Sequence, residues 1–177
     1  MASSKSIVEY TGRRITYETP LEFAEVSARF EKALNKSAGG PAVFRVLGTA
    51  QTKEELEAGI NALTAGGDFV YFGELAHHRW MKTYTGVPAT PQTVVYTFGN
   101  PLIAQTMLSH DYAAGLHIPP RLMLLENVHG GGTKVIYDDP APLISLPGGK
   151  EELREAAEAL SAKVERLVQN VIGENFE

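Results

Sequence analysis

The stretch Val94-Val95-Tyr96-Thr97-Phe98-Gly99-Asn100-Pro101 passes from strand chemistry to helix chemistry within two residues. Residues 92–98 are rich in β-branched and aromatic side chains, which suit a pleated, half-buried surface. Asn100 then offers a side-chain oxygen to the free amides of a first helical turn. Pro101, with its fixed φ and no N–H, suits the position after it. The reading is a strand running into a capped helix, with Ile103, Ala104, Met107 and Leu108 on its inward face.

Downstream, residues 121–127 and 133–137 flank Gly130-Gly131-Gly132 and read as a hairpin. Residues 149–172 carry Leu153, Ala157, Leu160, Val164, Leu167 and Val171, spaced 4-3-4-3-4. This stripe predicts a long helix that lies across a sheet or pairs with another helix. Upstream, Phe69-Val70-Tyr71-Phe72 is apolar on both faces and reads as a central strand. Thr52 and Glu55 form a capping box for a helix that buries Leu56, Ile60 and Leu63. Residues 42–47 read as a short strand. Thr19, Pro20 and Glu22 form another capping box, for a helix burying Phe23, Val26, Phe30 and Leu34. Residues 7–10 and 13–17, around Thr11-Gly12, read as a first hairpin. Hairpins and helices are segregated rather than strictly alternating, so the fold class is α+β with a mainly antiparallel sheet and additional capped helices. No repeat, low-complexity tract or linker divides the chain, and a single domain over residues 1–177 is expected.

Composition narrows the function classes. The 177 residues carry a net charge of −5, with 44% hydrophobic and 21% charged residues, as in an ordinary soluble protein. No basic run stands out, which argues against nucleic acid and against a polybasic membrane patch. The chain has no cysteine, so disulfides, thiolate nucleophiles and Cys-bearing metal centres are excluded. Residues 1–5 contain no apolar core of a secretory signal, and no apolar run reaches bilayer length. The expectation is a cytoplasmic protein.

The densest chemistry lies in residues 74–84. His77 and His78 are adjacent, Trp80 is the only tryptophan, and Tyr84 follows. Histidine serves as acid or base near neutral pH, and the aromatics suit a planar or apolar ligand. The plainer alternative is an exposed loop pinned to the core by Trp80. Adjacent histidines diverge on a strand or a helix, so no metal is expected. Asn100 is foremost a helix cap, although the same helix end suits an anion. If the triple-glycine turn centres the hairpin, Leu122 pairs with Asp139, and Arg121 lies within reach of Asp138 and Asp139. A structural salt bridge is one reading. The other is an arginine that clamps a ligand carboxylate, with an aspartate orienting it. Asp-Asp-Pro is also ordinary turn chemistry. The Gly130-Gly131-Gly132 run lacks the Lys-Ser/Thr of a phosphate loop, and no Gly-x-Ser-x-Gly elbow is present.

Together, Thr97-Phe98-Gly99-Asn100-Pro101, Ala114-Gly115-Leu116, Pro119-Pro120-Arg121 and Tyr137-Asp138-Asp139-Pro140 resemble domain-of-unknown-function family 302. Phe69 to Ala76, leading into His77-His78, resembles the strand and histidine segment before it. The motif-bearing match spans residues 68–142, and residues 36–67 are an extra helical segment relative to shorter members. The resemblance implies a curved antiparallel sheet against a long C-terminal helix, with the shape of a TATA-box-binding-protein half-repeat. It implies homodimers in at least some members, and it implies no activity.

The combined expectation is a domain that binds a small, partly apolar or acidic organic molecule in a cleft between sheet and helix. His77, His78, Trp80 and Tyr84 would line its mouth, with Asn100, Arg121, Asp138 and Asp139 as polar contacts. Two alternatives stand beside it. One is an isomerase, lyase or cyclase without metal or cofactor, using His77 or His78 as general base. The other is a homodimeric interaction module paired through the C-terminal stripe.

Overall fold

The computed structural model describes residues 3–174 and 176. The signal-free start read at residues 1–5 lies partly outside the described residues, at Met1 and Ala2. Five antiparallel strands form one sheet in the order β1-β5-β4-β3-β2. They are β1 (Arg14–Thr19), β2 (Val70–Ala76), β3 (Thr93–Gly99), β4 (Arg121–Glu126) and β5 (Thr133–Asp138). The helices are α1 (Phe23–Ala33), α2 (Pro41–Thr49), α3 (Lys53–Thr64), α4 (His77–Thr85), α5 (Pro101–Leu108), α6 (Pro140–Ile144) and α7 (Glu151–Ile172). A 3₁₀ turn, Tyr112–His117, precedes β4.

Strand alternation gives the sheet two different faces. Val94, Tyr96 and Phe98 of β3, Leu122 and Leu124 of β4, and Val135 and Tyr137 of β5 are all buried on one side. They pack against α1 and α7 in the main core. Phe30 of α1 sits edge-on to Tyr96 and Phe98, with ring centroids 5.1 and 5.5 Å apart. On α7, Leu153, Ala157, Leu160, Val164, Val168 and Val171 are buried, and Leu167 is only half-buried. Because 3.6 residues per turn drifts against a 3.5 repeat, Val168 takes the place the sequence pattern gives to Leu167.

A second, smaller core joins α2 and α3 to the sheet. Val43 of α2, Ile60 of α3 and Val70 of β2 are its buried centre, with Leu56, Leu63 and Phe72 around them. The β2–β3 register shifts between Tyr71 and Gly73, so Phe72 is the additional residue of a β-bulge. The far edge of β2 is tied down as well. Gly40 N–H donates to the Tyr71 carbonyl at 2.7 Å, and Tyr71 N–H to the Leu34 carbonyl at 3.2 Å. That cover explains why Phe69-Val70-Tyr71-Phe72 is apolar on both faces although β2 is an edge strand, not the central one expected.

Several local expectations hold. Asn100 caps α5 through Leu102 N–H at 2.9 Å, and Thr52 caps α3 through Glu55 N–H at 3.1 Å. Others are corrected. Residues 42–47 are helix, not strand, because Pro41 opens α2 and Val43 packs on α3. Residues 7–10 form no strand; β1 pairs with β5 instead, Ile15 opposite Tyr137. Helix α1 begins at Phe23 with no side-chain cap, while Thr19 closes β1.

Candidate functional site

The space between the sheet and α7 is filled by the main core, and the hollow that borders α7, about 580 Å³, lies at its flank against Lys32, Phe69 and Phe176. The open face of the sheet is the opposite one. Alternation sends Gly73 and Leu75 of β2, Val95 and Thr97 of β3, Arg121 and Met123 of β4, and Ile136 of β5 to that outer side. Cross-strand pairing sets them in rows. Gly73, Thr97 and Arg121 form one row, and Leu75, Val95, Met123 and Ile136 the next. Two hollows occupy this face and meet at Val95, Pro119 and Arg121. The larger, about 670 Å³, reaches from Arg121 past Gly73 to Phe44, Phe72 and His77. The smaller, about 290 Å³, reaches to Arg14, His117 and Asp138.

Pro119 closes one side of both hollows, and the close approach it makes accounts for a glycine in the signature. A Cβ on Gly99 would lie 2.9 Å from the Pro119 Cβ. Phe44 stands on the outward side of α2, one residue from the buried Val43. It meets Phe72 edge-on, with centroids 5.7 Å apart. Helix α2 thus supplies one wall of the larger hollow.

The charges on this face are unequal in their partners. Asp138 is held by Arg14 through two hydrogen bonds of 2.8 and 3.0 Å. That bonding, together with the nearby charge, holds its carboxyl below the usual carboxylate range. Asp139 is only 2% exposed. It accepts from Arg13 Nε at 3.0 Å and from Ser161 Oγ, and it caps α6. Asp139 therefore faces the protein, not a hollow. Hairpin register is the reason: Leu122 pairs with Tyr137, two residues short of Asp139. Arg121 is exposed, and among the described residues it forms no ion pair, because Arg13 and Arg14 have taken both aspartates.

The histidine segment is a helix, not a loop. His77 lines the larger hollow. Its Nδ1 accepts from Trp80 Nε1–H at 3.1 Å. Indole N–H only donates, so the neutral imidazole carries its proton on Nε2. The lone pair a general base would use is therefore occupied, and His77 presents a donor instead. His78 turns the other way. Its Nδ1 lies 3.1 Å from Thr93 N–H and 3.0 Å from the Thr93 carbonyl, which pins α4 to the start of β3. Trp80 is 50% exposed and Tyr84 is 85% exposed, and neither lines a hollow on this face. Asn100 borders a further, apolar hollow of about 440 Å³ beside α5, which shares Phe72 and Pro119 with the larger one. Its amide is spent on Leu102 N–H and on the Asp68 carbonyl. Among the described residues, no three His, Asp or Glu side chains gather in a way that could hold a metal ion.

Of the residues singled out from sequence, the structure brings together Arg121, His77 and Asp138 around the outer face. Gly73, Phe44 and Phe72 belong with them and were not singled out. Sequence reasoning also missed Arg13 and Arg14, although their doublet mirrors Asp138-Asp139 across paired strands.

On the far side of the sheet, Glu165 of α7 accepts from the hydroxyls of both Tyr17 and Tyr137. Those bonds hold its carboxyl below the usual range. Burial, then the bond to Glu165, pushes the Tyr137 phenol well above its ordinary value. This cluster fastens α7 to β1 and β5.

An antiparallel sheet that buries one face under a long helix and leaves the other open defines a compact α+β class. The model of the family described as "Domain of unknown function DUF302" matches residues 45–171, and the chain belongs to that family. The match takes in α3 and nearly all of α7, beyond the motif-bearing residues 68–142. The crystal structure of an uncharacterized conserved DUF302 protein from Bacillus stearothermophilus is similar in fold. It is 14% identical, with 90% of this chain and 98% of that chain covered and a TM-score of 0.61. No curated protein sequence matches this one. Among the described residues, no helix is long and apolar enough to cross a membrane.

Proposed function

We propose that this protein binds a small, partly apolar organic acid on the outer face of its sheet, with Arg121 holding the carboxylate. One observation carries the reading. Among the described residues Arg121 forms no ion pair beside Val95 and Pro119: its charge acts on Asp138, but the hydrogen bonds of Asp138 and Asp139 go to Arg14 and Arg13. A guanidinium offers a planar fork that fits a carboxylate through two hydrogen bonds. The apolar floor takes the remainder of the ligand out of water. The cytoplasm is the setting we propose, since a chain without cysteine gains nothing from an oxidising compartment.

The geometry gives less to the alternatives. A base role for His77 competes with its bond to Trp80, and His78 faces Thr93. Pairing of two copies through the α7 stripe competes with the chain's own core, which buries it.

The test is calorimetric titration with hexanoate and with hexan-1-ol. Hexanoate is expected to bind at least about tenfold more tightly than the alcohol, in line with a hydrogen bond to a charged group. The substitution Arg121→Gln is expected to remove that difference. An R121Q protein that binds hexanoate as the wild type does overturns the reading.

A further inference from the structure

Resting on the acid-binding reading, we infer that the acid is aromatic: a planar aryl carboxylate whose ring lies on the sheet at Gly73. Three observations lead there. The first is the floor. A Cβ built on Gly73 meets nothing within 4 Å, so a larger side chain would fit and would stand in the hollow. Glycine leaves bare backbone at the point where a flat ring has room to lie.

The second is the wall. Phe44 is 59% exposed and holds an edge-on contact with Phe72 at an interplanar angle of 84°. His77, braced edge-on by Trp80 at 5.9 Å, lines the same hollow. Aromatic rings prefer edge-to-face or offset neighbours, and a ring over Gly73 extends that arrangement.

The third is the span. Gly73 pairs with Thr97, and Thr97 with Arg121, so the bare backbone and the guanidinium stem lie two strands apart in one row. Two strand spacings are about 10 Å, the scale of one or two fused rings bearing a carboxylate. A flexible alkyl acid fills the same length but gains nothing from the aromatic edges and loses rotamer freedom on binding.

The experiment compares 2-naphthoate with its fully saturated decahydro counterpart, by titration calorimetry on the full chain. The wild type is expected to bind the naphthoate about tenfold more tightly than the saturated acid. Phe44→Leu is expected to remove that preference. Gly73→Leu is expected to weaken naphthoate at least about tenfold by filling the hollow. Thermal melting reports whether each variant is folded, and F44L, at an exposed site, decides alone if G73L is not. Equal affinity for the two acids overturns the inference, as does naphthoate binding untouched by both variants; if R121Q still weakens both acids, the acid-binding reading stands. If neither acid binds, or if R121Q binds both as the wild type does, that reading fails and the aromatic inference fails with it.

Discussion

Asp138 and Asp139 are neighbours with opposite surroundings. Asp138 sits at the surface with Arg14, both side chains well exposed, and such pairs contribute little to stability. Asp139 is almost fully buried, accepts from Arg13 and Ser161, and caps α6. Its removal leaves the half-buried Ser161 hydroxyl without its acceptor and the exposed Arg13 without its partner, as well as an uncapped helix. Asp139→Ala should therefore cost about 3 kcal/mol in urea denaturation, and Asp138→Ala less than about 1 kcal/mol. Equal costs would contradict these assignments. The difference was not legible in sequence, where the doublet is symmetric; only the hairpin register and the position of Ser161 on α7 separate the two. Asn100 is the reverse case. Its cap was legible because Asn followed by Pro is a local signal, and the structure makes that bond.

At the scale of elements, α7 shows what periodicity can and cannot give. Its apolar stripe named the buried face, apart from Leu167 and Val168. It did not show that Glu165, on the flank of that stripe, takes both the Tyr17 and Tyr137 hydroxyls. Those partners come from strands far away in sequence. The consequence is a pH dependence. The bonds hold the Glu165 carboxyl below its ordinary value. A carboxylate with a lowered folded pKa contributes stability that is complete above its unfolded pKa and is lost as pH falls through the folded one. Glu165→Gln should cost about 2 kcal/mol near neutral pH, and the gap to the wild type should close as pH falls through and below the carboxylate range. Urea denaturation of both proteins across that range checks it; a gap independent of pH contradicts it. Residues 42–47 mark the limit of local reading. Ala42-Val43-Phe44-Arg45-Val46-Leu47 has strand-like composition, and Pro41 with the packing of Val43 on Ile60 overrides it.

For the whole molecule, the decisive feature is that the two faces of one sheet serve different ends. The inner face and α7 make the core. The outer face has Arg121, which forms no ion pair among the described residues, the bare backbone of Gly73 and the aromatic wall that α2 brings over it. The α+β class and the antiparallel sheet followed from the order of hairpins and caps. The side on which the sheet stays open did not, because strand alternation allots residues to two faces without saying which face the helices cover. That is why a cleft expected beneath α7 lies on the opposite side. The most direct measurement is an amide chemical-shift map of the isotope-labelled protein titrated with benzoate. The account predicts that the shifts gather at Gly73, Val95, Thr97, Arg121 and Met123. Shifts gathered instead along α7, at residues such as Ala157, Leu160 and Val164, or no saturable shifts at all, would contradict it.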